Sequence, residues 1–166
     1  MKEEKNRLDA LMLKCRNILK TEGIPISDKI LGPVVNKRIR SRFGRCIKKM
    51  SQYEIEISSR LLDCTDSVIE EILIHELLHT CPGCMNHGRK WKGYAEKLNR
   101  SYGYCIQVRT SYEKLGLENP GSREPVKYRI VCTGCGQVIE RRRKCRLVDH
   151  IDRYRCGKCG EKLEIQ

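Results

Sequence analysis

Two imidazoles and a carboxylate interrupt an otherwise apolar run, Ile72-Leu73-Ile74-His75-Glu76-Leu77-Leu78-His79. Groups of that kind are costly to bury without partners, so a fold that uses this run as core must satisfy all three at one place. On a helix, positions four apart lie about 40° apart around the axis and about 6 Å apart along it, so His75 and His79 point the same way. Two imidazoles on one face can grip one metal ion. Glu76, in the same turn, is near enough to act on a metal-activated water without being a ligand, which is the HExxH arrangement of zinc peptidases. The helix is predicted over Val68 to Thr80. Ser67 with Glu70 reads as a capping box, Asp66 is an alternative cap, and Pro82-Gly83 stops the helix. Val68, Ile69, Ile72, Leu73, Ile74, Leu77 and Leu78 make more than one apolar stripe, the mark of a central buried helix.

A catalytic zinc usually takes three protein ligands and leaves a fourth position open. His87 follows eight residues after His79, in Asn86-His87-Gly88-Arg89-Lys90-Trp91. The HExxHxxGxxH spacing would put a ligand at Met85, so that pattern is not met. His87 is the favoured third ligand, and Glu96 on the following helix is the rival, by analogy with His-His-Glu sites.

With these residues stand Arg42-Phe43-Gly44-Arg45-Cys46, the segment Ile55-Glu56-Ile57-Ser58 ending in Leu61-Leu62, and the His87-Gly88-x-x-Trp91 motif. Taken in order with a terminal zinc ribbon, they make the chain resemble the SprT-like, Spartan-related family of zinc metalloproteases, from about Asn36 to Tyr112 and into the tail. The resemblance implies that His75, His79 and His87 hold the catalytic zinc and that Glu76 is the catalytic glutamate. It also implies DNA-dependent cleavage of proteins bound or crosslinked to DNA. Cys81-Pro82-Gly83-Cys84, between His79 and His87, is not part of the general family pattern.

The 166 residues allow one domain of ordinary size and a small one, expected at 1–120 and 121–166, and 39% hydrophobic residues permit a modest core. No apolar run approaches the 18 or so residues of a membrane span, and Met1-Lys2-Glu3-Glu4-Lys5 leads into a charged amphipathic pattern, so a cytoplasmic location is expected. In that setting the 11 cysteines read as metal ligands and buried thiols instead of a disulfide framework.

Leu8, Leu11, Met12, Cys15, Ile18 and Leu19 give Asn6–Lys20 helical spacing, ended by Gly23 and Pro25. Cys15 on that stripe reads as a small buried hydrophobe. Val34–Lys49 and Gln52–Ser58 read as strands joined by a turn at Lys48-Lys49-Met50-Ser51. The expected class is α+β, a zincin-like minimal protease domain with a small antiparallel sheet beside the active-site helix. By family analogy, its edge would hold an extended peptide. A further helix is expected from His87 to about Arg100, with Trp91 as a core anchor locking His87 against the first motif. Tyr94, Tyr102, Tyr104 and Tyr112 are candidates for stabilising the oxyanion.

Turn formers at Glu118–Pro125 mark a boundary. Beyond it Cys132, Cys135, Cys156 and Cys159 form C-x2-C-x20-C-x2-C, the spacing of a four-thiolate zinc ribbon whose metal is structural. Cys145 and His150, between the pairs, read as ordinary strand and loop residues. The expected metals are therefore one catalytic and one structural zinc.

Formal net charge is +13. Arg141-Arg142-Arg143-Lys144 is expected on an exposed turn of the ribbon. Lys37, Arg38, Arg40, Arg42 and Arg45 form a second basic strip near the cleft, and such clusters bind nucleic-acid phosphates through counterion release. The expected function is a zinc endopeptidase, DNA-dependent, with DNA and DNA-bound proteins as partners. Two other classes stay open, a zinc peptidase indifferent to DNA and a non-catalytic DNA-binding module with two structural zincs. A minor expectation is a thiol switch, in which Cys81 or Cys84 caps the zinc.

Overall fold

The apolar stripe of the first segment becomes the buried face of helix α1 (Lys2–Thr21), with Leu8, Leu11, Met12, Cys15 and Leu19 inside. It packs across α2 (Asp66–Leu78), which is buried nearly all round, as its several stripes predict: Ile69, Ile72, Leu73, Ile74, Leu77 and Leu78 are all inaccessible or nearly so. The computed structural model describes residues 2–117 and 125–166, and the chain separates into two units, Met1–Glu118 and Asn119–Gln166. The boundary expected at 118–125 falls, but for its last residue, outside the described residues.

In the first unit a three-stranded sheet runs β1 (Ile30–Asn36), β3 (Gln52–Ser58), β2 (Gly44–Lys49) in spatial order. β2 pairs antiparallel to β3 with Gly44 opposite Ile57 and Lys49 opposite Gln52. β1 pairs parallel to β3, so the sheet is mixed instead of wholly antiparallel. The strand expected over 34–49 is two strands. The break at 37–43 follows from turn chemistry, since the Asn36 side chain accepts from the Arg38 amide at 2.8 Å and turns the chain out of the ladder. Ile55 and Ile57 on the inner face of β3 are fully buried and meet α2.

The N-terminal cap of α2 is Thr65, without a side-chain cap bond, and not Ser67 or Asp66. Glu70 fails as a capping-box partner because it is 4% exposed and otherwise engaged. Its carboxylate takes Lys14 Nζ at 2.6 Å and the Tyr104 hydroxyl at 2.7 Å. This pair of donors ties α1 and the 103–112 loop to α2. Tyr104→Phe removes one donor from a buried carboxylate and should cost about 1 kcal/mol, read as a lowered denaturant midpoint with unchanged slope. An unchanged midpoint would show that the bond contributes nothing.

Helix α3 (Arg89–Tyr102) closes the unit, with Trp91, Ala95 and Leu98 buried and Gly103 ending it in the left-handed region. The helix begins after Gly88, so His87 lies on the preceding turn and not on the helix itself.

The second unit is a three-stranded antiparallel sheet in the order β5 (Val138–Arg141), β4 (Tyr128–Cys132), β6 (Leu163–Ile165). The short helix α4 (Arg146–Asp149) lies between β5 and β6 in the chain. Its core is small: Ile130, Cys132, Cys156 and Leu163, with Ile139, Leu147, Val148 and Ile151 against them. No helix among the described residues is long and apolar enough to cross a membrane.

Candidate metal centre and active-site cleft

His75 sits in the last turn of α2, and His79 is its C-cap. Their side chains meet His87 from the turn before α3, so that one nitrogen from each of the three lies within 4.8 Å of the others. Nδ1 of His75 is 2.9 Å from the Gln107 carbonyl and Nδ1 of His79 is 2.8 Å from the Cys84 carbonyl. A carbonyl only accepts, so each Nδ1 carries the proton and each Nε2 presents a lone pair to the centre. Nε2 of His87 lies 3.0 Å from Nε2 of His75. Without an ion, His87 Nε2–H can donate to the His75 lone pair across this gap and a cation can take that proton's place; nitrogens about 2.0–2.1 Å from a tetrahedral zinc would be about 3.4 Å apart. The donor set fits zinc.

Burial pushes His75 down to about 4, with His79 and His87 adding to the effect, and burial also lowers His87. Both are thus in the neutral form that binds metal. Trp91 forms the floor: its ring is edge-on to His75 and His87 at 4.8 and 4.6 Å and stacked on His79 at 5.8 Å. This is the anchoring role expected of it.

Glu76 is 6% exposed, and burial raises it to about 8 against the opposing pull of the Cys46 backbone and of the Arg42 charge. It reaches the same open cleft as the three histidines, of about 730 Å³, whose far wall is the chain from Ser41 to Cys46. A bound cation would draw the carboxylate back toward its ionised form.

Glu96 is exposed and lies outside the cluster, so it is not brought to the centre. None of the four tyrosines lines the cleft. The hydroxyls of Tyr102 and Tyr104 go to Glu22 and Glu70, that of Tyr112 to the Arg40 carbonyl, and the Tyr94 ring lies under Lys90. Three of the four hydroxyls are thus spent elsewhere in the fold. Cys81 and Cys84 are buried and stand outside the metal cluster, Cys84 contributing only its carbonyl to His79. The expectation that one of them caps the metal is not supported by this arrangement. The cradle carbonyls of Gln107 and Cys84 were missed in sequence because a backbone acceptor has no signature in residue type. The close approach of Gly44 to Glu76 had one, a glycine inside a strand, which often marks close approach of another group.

In the second unit the four thiols meet as the spacing predicts, Cys132 Sγ to Cys159 Sγ at 3.4 Å and Cys135 Sγ to Cys156 Sγ at 3.6 Å, all four within 4.8 Å. Sulfurs on a tetrahedral zinc at about 2.3 Å would be about 3.8 Å apart. The Cys135 amide donates to Cys132 Sγ and the Lys158 amide to Cys156 Sγ. The amides of Lys158 and Cys159 hold Cys156 down at about 6, favouring the thiolate that a metal needs. Cys145 and His150 are not in the cluster. Arg141 ends β5 and Arg142, Arg143 and Lys144 follow it toward α4, all four exposed, with Lys144 paired with Asp149 at 2.7 Å. Arg38, Arg40 and Arg42 are exposed on the loop between β1 and β2, and only Arg42 of the three borders the cleft.

The family model of the SprT-like family matches residues 18–111. The chain is 29% identical over 133 residues to Protein SprT-like of Lactococcus lactis, covering 79% of this chain and 78% of that protein. It is 27% identical over 135 residues to Protein SprT-like of Staphylococcus carnosus, covering 78% of each. It is also 27% identical over 132 residues, 75% of this chain, to the Germ cell nuclear acidic protein of Drosophila melanogaster, of whose length the match spans 12%.

Proposed function

From the premise that this chain belongs to the SprT-like family, we propose that it is a cytoplasmic zinc endopeptidase, stimulated by DNA, that cleaves proteins bound or crosslinked to DNA. The observation that carries the reading is the convergence of three imidazoles beside a buried carboxylate that opens onto the same cleft.

In this reading His75, His79 and His87 hold the catalytic zinc, and Cys132, Cys135, Cys156 and Cys159 a structural one. Bound zinc supplies Lewis acidity to the scissile carbonyl and to the attacking water. The protein's own part is proton movement and positioning. A Glu76 carboxylate oxygen takes the proton of the attacking water and delivers it to the leaving amine. Burial raises the affinity of Glu76 for that proton, which suits a base that must also act as an acid.

The substrate is held by β2. Ser58 donates to the Phe43 carbonyl at 2.7 Å, so odd-numbered residues of this strand face β3 and Gly44, Cys46 and Lys48 turn their backbone groups to the free edge. No described strand pairs with that edge. An extended peptide can add there and run past Glu76.

The DNA part of the reading rests on charge. The net +13, the exposed Arg141-Arg142-Arg143-Lys144 turn and the Arg38, Arg40 and Arg42 loop offer phosphate contacts with no demand on sequence. DNA would concentrate enzyme and substrate on one template, allowing a cleft unselective about sequence.

The test is cleavage of a DNA-binding protein with and without DNA. Cleavage should be stimulated by DNA and fall as salt rises, and replacing Arg141, Arg142, Arg143 and Lys144 by glutamine should remove much of the stimulation while leaving bound zinc unchanged. Equal cleavage without DNA would leave a zinc peptidase indifferent to nucleic acid, and none under any condition would leave a non-catalytic DNA-binding module.

A further inference from the structure

Glu76 has to keep its carboxylate at one place in the cleft. The contact comes from the facing strand. Gly44 is buried in β2, and a Cβ built on it would lie 2.6 Å from Glu76 Oε1, 2.7 Å from Cγ and 3.0 Å from Cδ. These three atoms are its nearest neighbours, all from one side chain. Gly44 does not have a left-handed backbone conformation, so an alanine is permitted by its φ, and what its Cβ meets first is the Glu76 side chain. Two residues on, the Cys46 amide faces outward on the same edge.

We infer that Gly44 is a positioning residue: the space left by its missing side chain is the seat of the Glu76 carboxylate. The edge strand thereby sets the base and the peptide on one backbone. Gly44 and Cys46 share the alternation that faces a substrate strand, so the acid and the scissile bond are held in register by the same few residues. The inference rests on reading Glu76 as the catalytic base, but its geometry does not.

The test is Gly44→Ala in the full-length protein, alone and combined with Glu76→Ala. Glu76 is at the end of a flexible side chain beside an open cleft, so it can swing away and the variant should fold and keep its zinc. Displacement of a catalytic group by about 1 Å costs on the order of 100-fold, so kcat should fall by about that factor with KM unchanged. Thermal unfolding gives a readout that needs no activity. Gly44→Ala should lower Tm by about 3 °C in the parent and by less than about 1 °C when Glu76 is already alanine, because residues in contact couple and distant ones add. An equal loss of Tm in both backgrounds, or kcat within about threefold of the parent, would overturn the seat. If the parent cleaves nothing, the proposed function fails, and the thermal cycle still decides whether Gly44 seats Glu76.

Discussion

Glu76→Gln is expected to abolish peptide cleavage, by at least about 1,000-fold, in a protein that is as well folded and as fully metallated as its parent. The amide has the volume of the carboxylate, so the Gly44 seat is filled. The three imidazoles, their carbonyl partners at Gln107 and Cys84, and the Trp91 floor are not touched. What is lost is the ability to take a proton from water, because an amide is not a base at neutral pH. Stability should not fall, since burial already works against the charged form of Glu76 and an uncharged isostere escapes that penalty. Single-turnover cleavage, metal analysis and thermal unfolding of the same preparations check the three parts. Activity within about tenfold of the parent would exclude Glu76 as the base, and loss of metal would make it a structural partner of the zinc instead.

The helical part of the site was legible because periodicity carries it. His75, Glu76 and His79 are fixed relative to one another by one helix, and the apolar residues around them announce burial. His87 was legible as a residue type but not as a placement, since a ligand on a turn obeys no period. The second layer escaped entirely. Gln107 and Cys84 act through carbonyls, and nothing in the choice of those side chains reports it.

Two of the errors share a cause in tertiary competition. Glu70 stands three residues after Ser67, a legitimate capping pattern, yet Lys14 from 56 residues away claims its carboxylate. The tyrosines near the motif were reasonable donors by proximity in sequence, and Glu22, Glu70 and the Arg40 carbonyl took three of their hydroxyls. The long strand over 34–49 failed for the opposite reason: a local Asn36 side chain outbid a weak β pattern.

Removal of metal from the four-cysteine cluster is expected to unfold the second unit while leaving the fold of α1 to α3 in place. Its buried apolar residues are Ile130 and Leu163, with Cys132 and Cys156 completing the core and four half-buried aliphatics around it. A core of that size falls short of offsetting the conformational entropy of some 40 residues at about 1.5 kcal/mol each, so a staple must supply the difference. Structural zinc contributes on the order of 10 kcal/mol in small domains, and the strands β4 and β6 are tied to one another at the cluster itself, where Cys132 pairs with Leu163. The first unit draws instead on a continuous core from Leu8 to Ile106 and does not depend on those thiolates. Cys156→Ser should act like the chelator, because three thiolates and a hydroxyl hold zinc far less tightly than four thiolates. Amide hydrogen exchange reads the two units separately: protection should vanish across β4, β5 and β6 and persist in α1 and α2. Retained protection in β4 to β6 would show that the ribbon folds on its apolar contacts alone. Loss of protection in both units would show that the cluster also supports the first, and the ribbon would then belong to the stability of the cleft as well as to the proposed nucleic-acid surface.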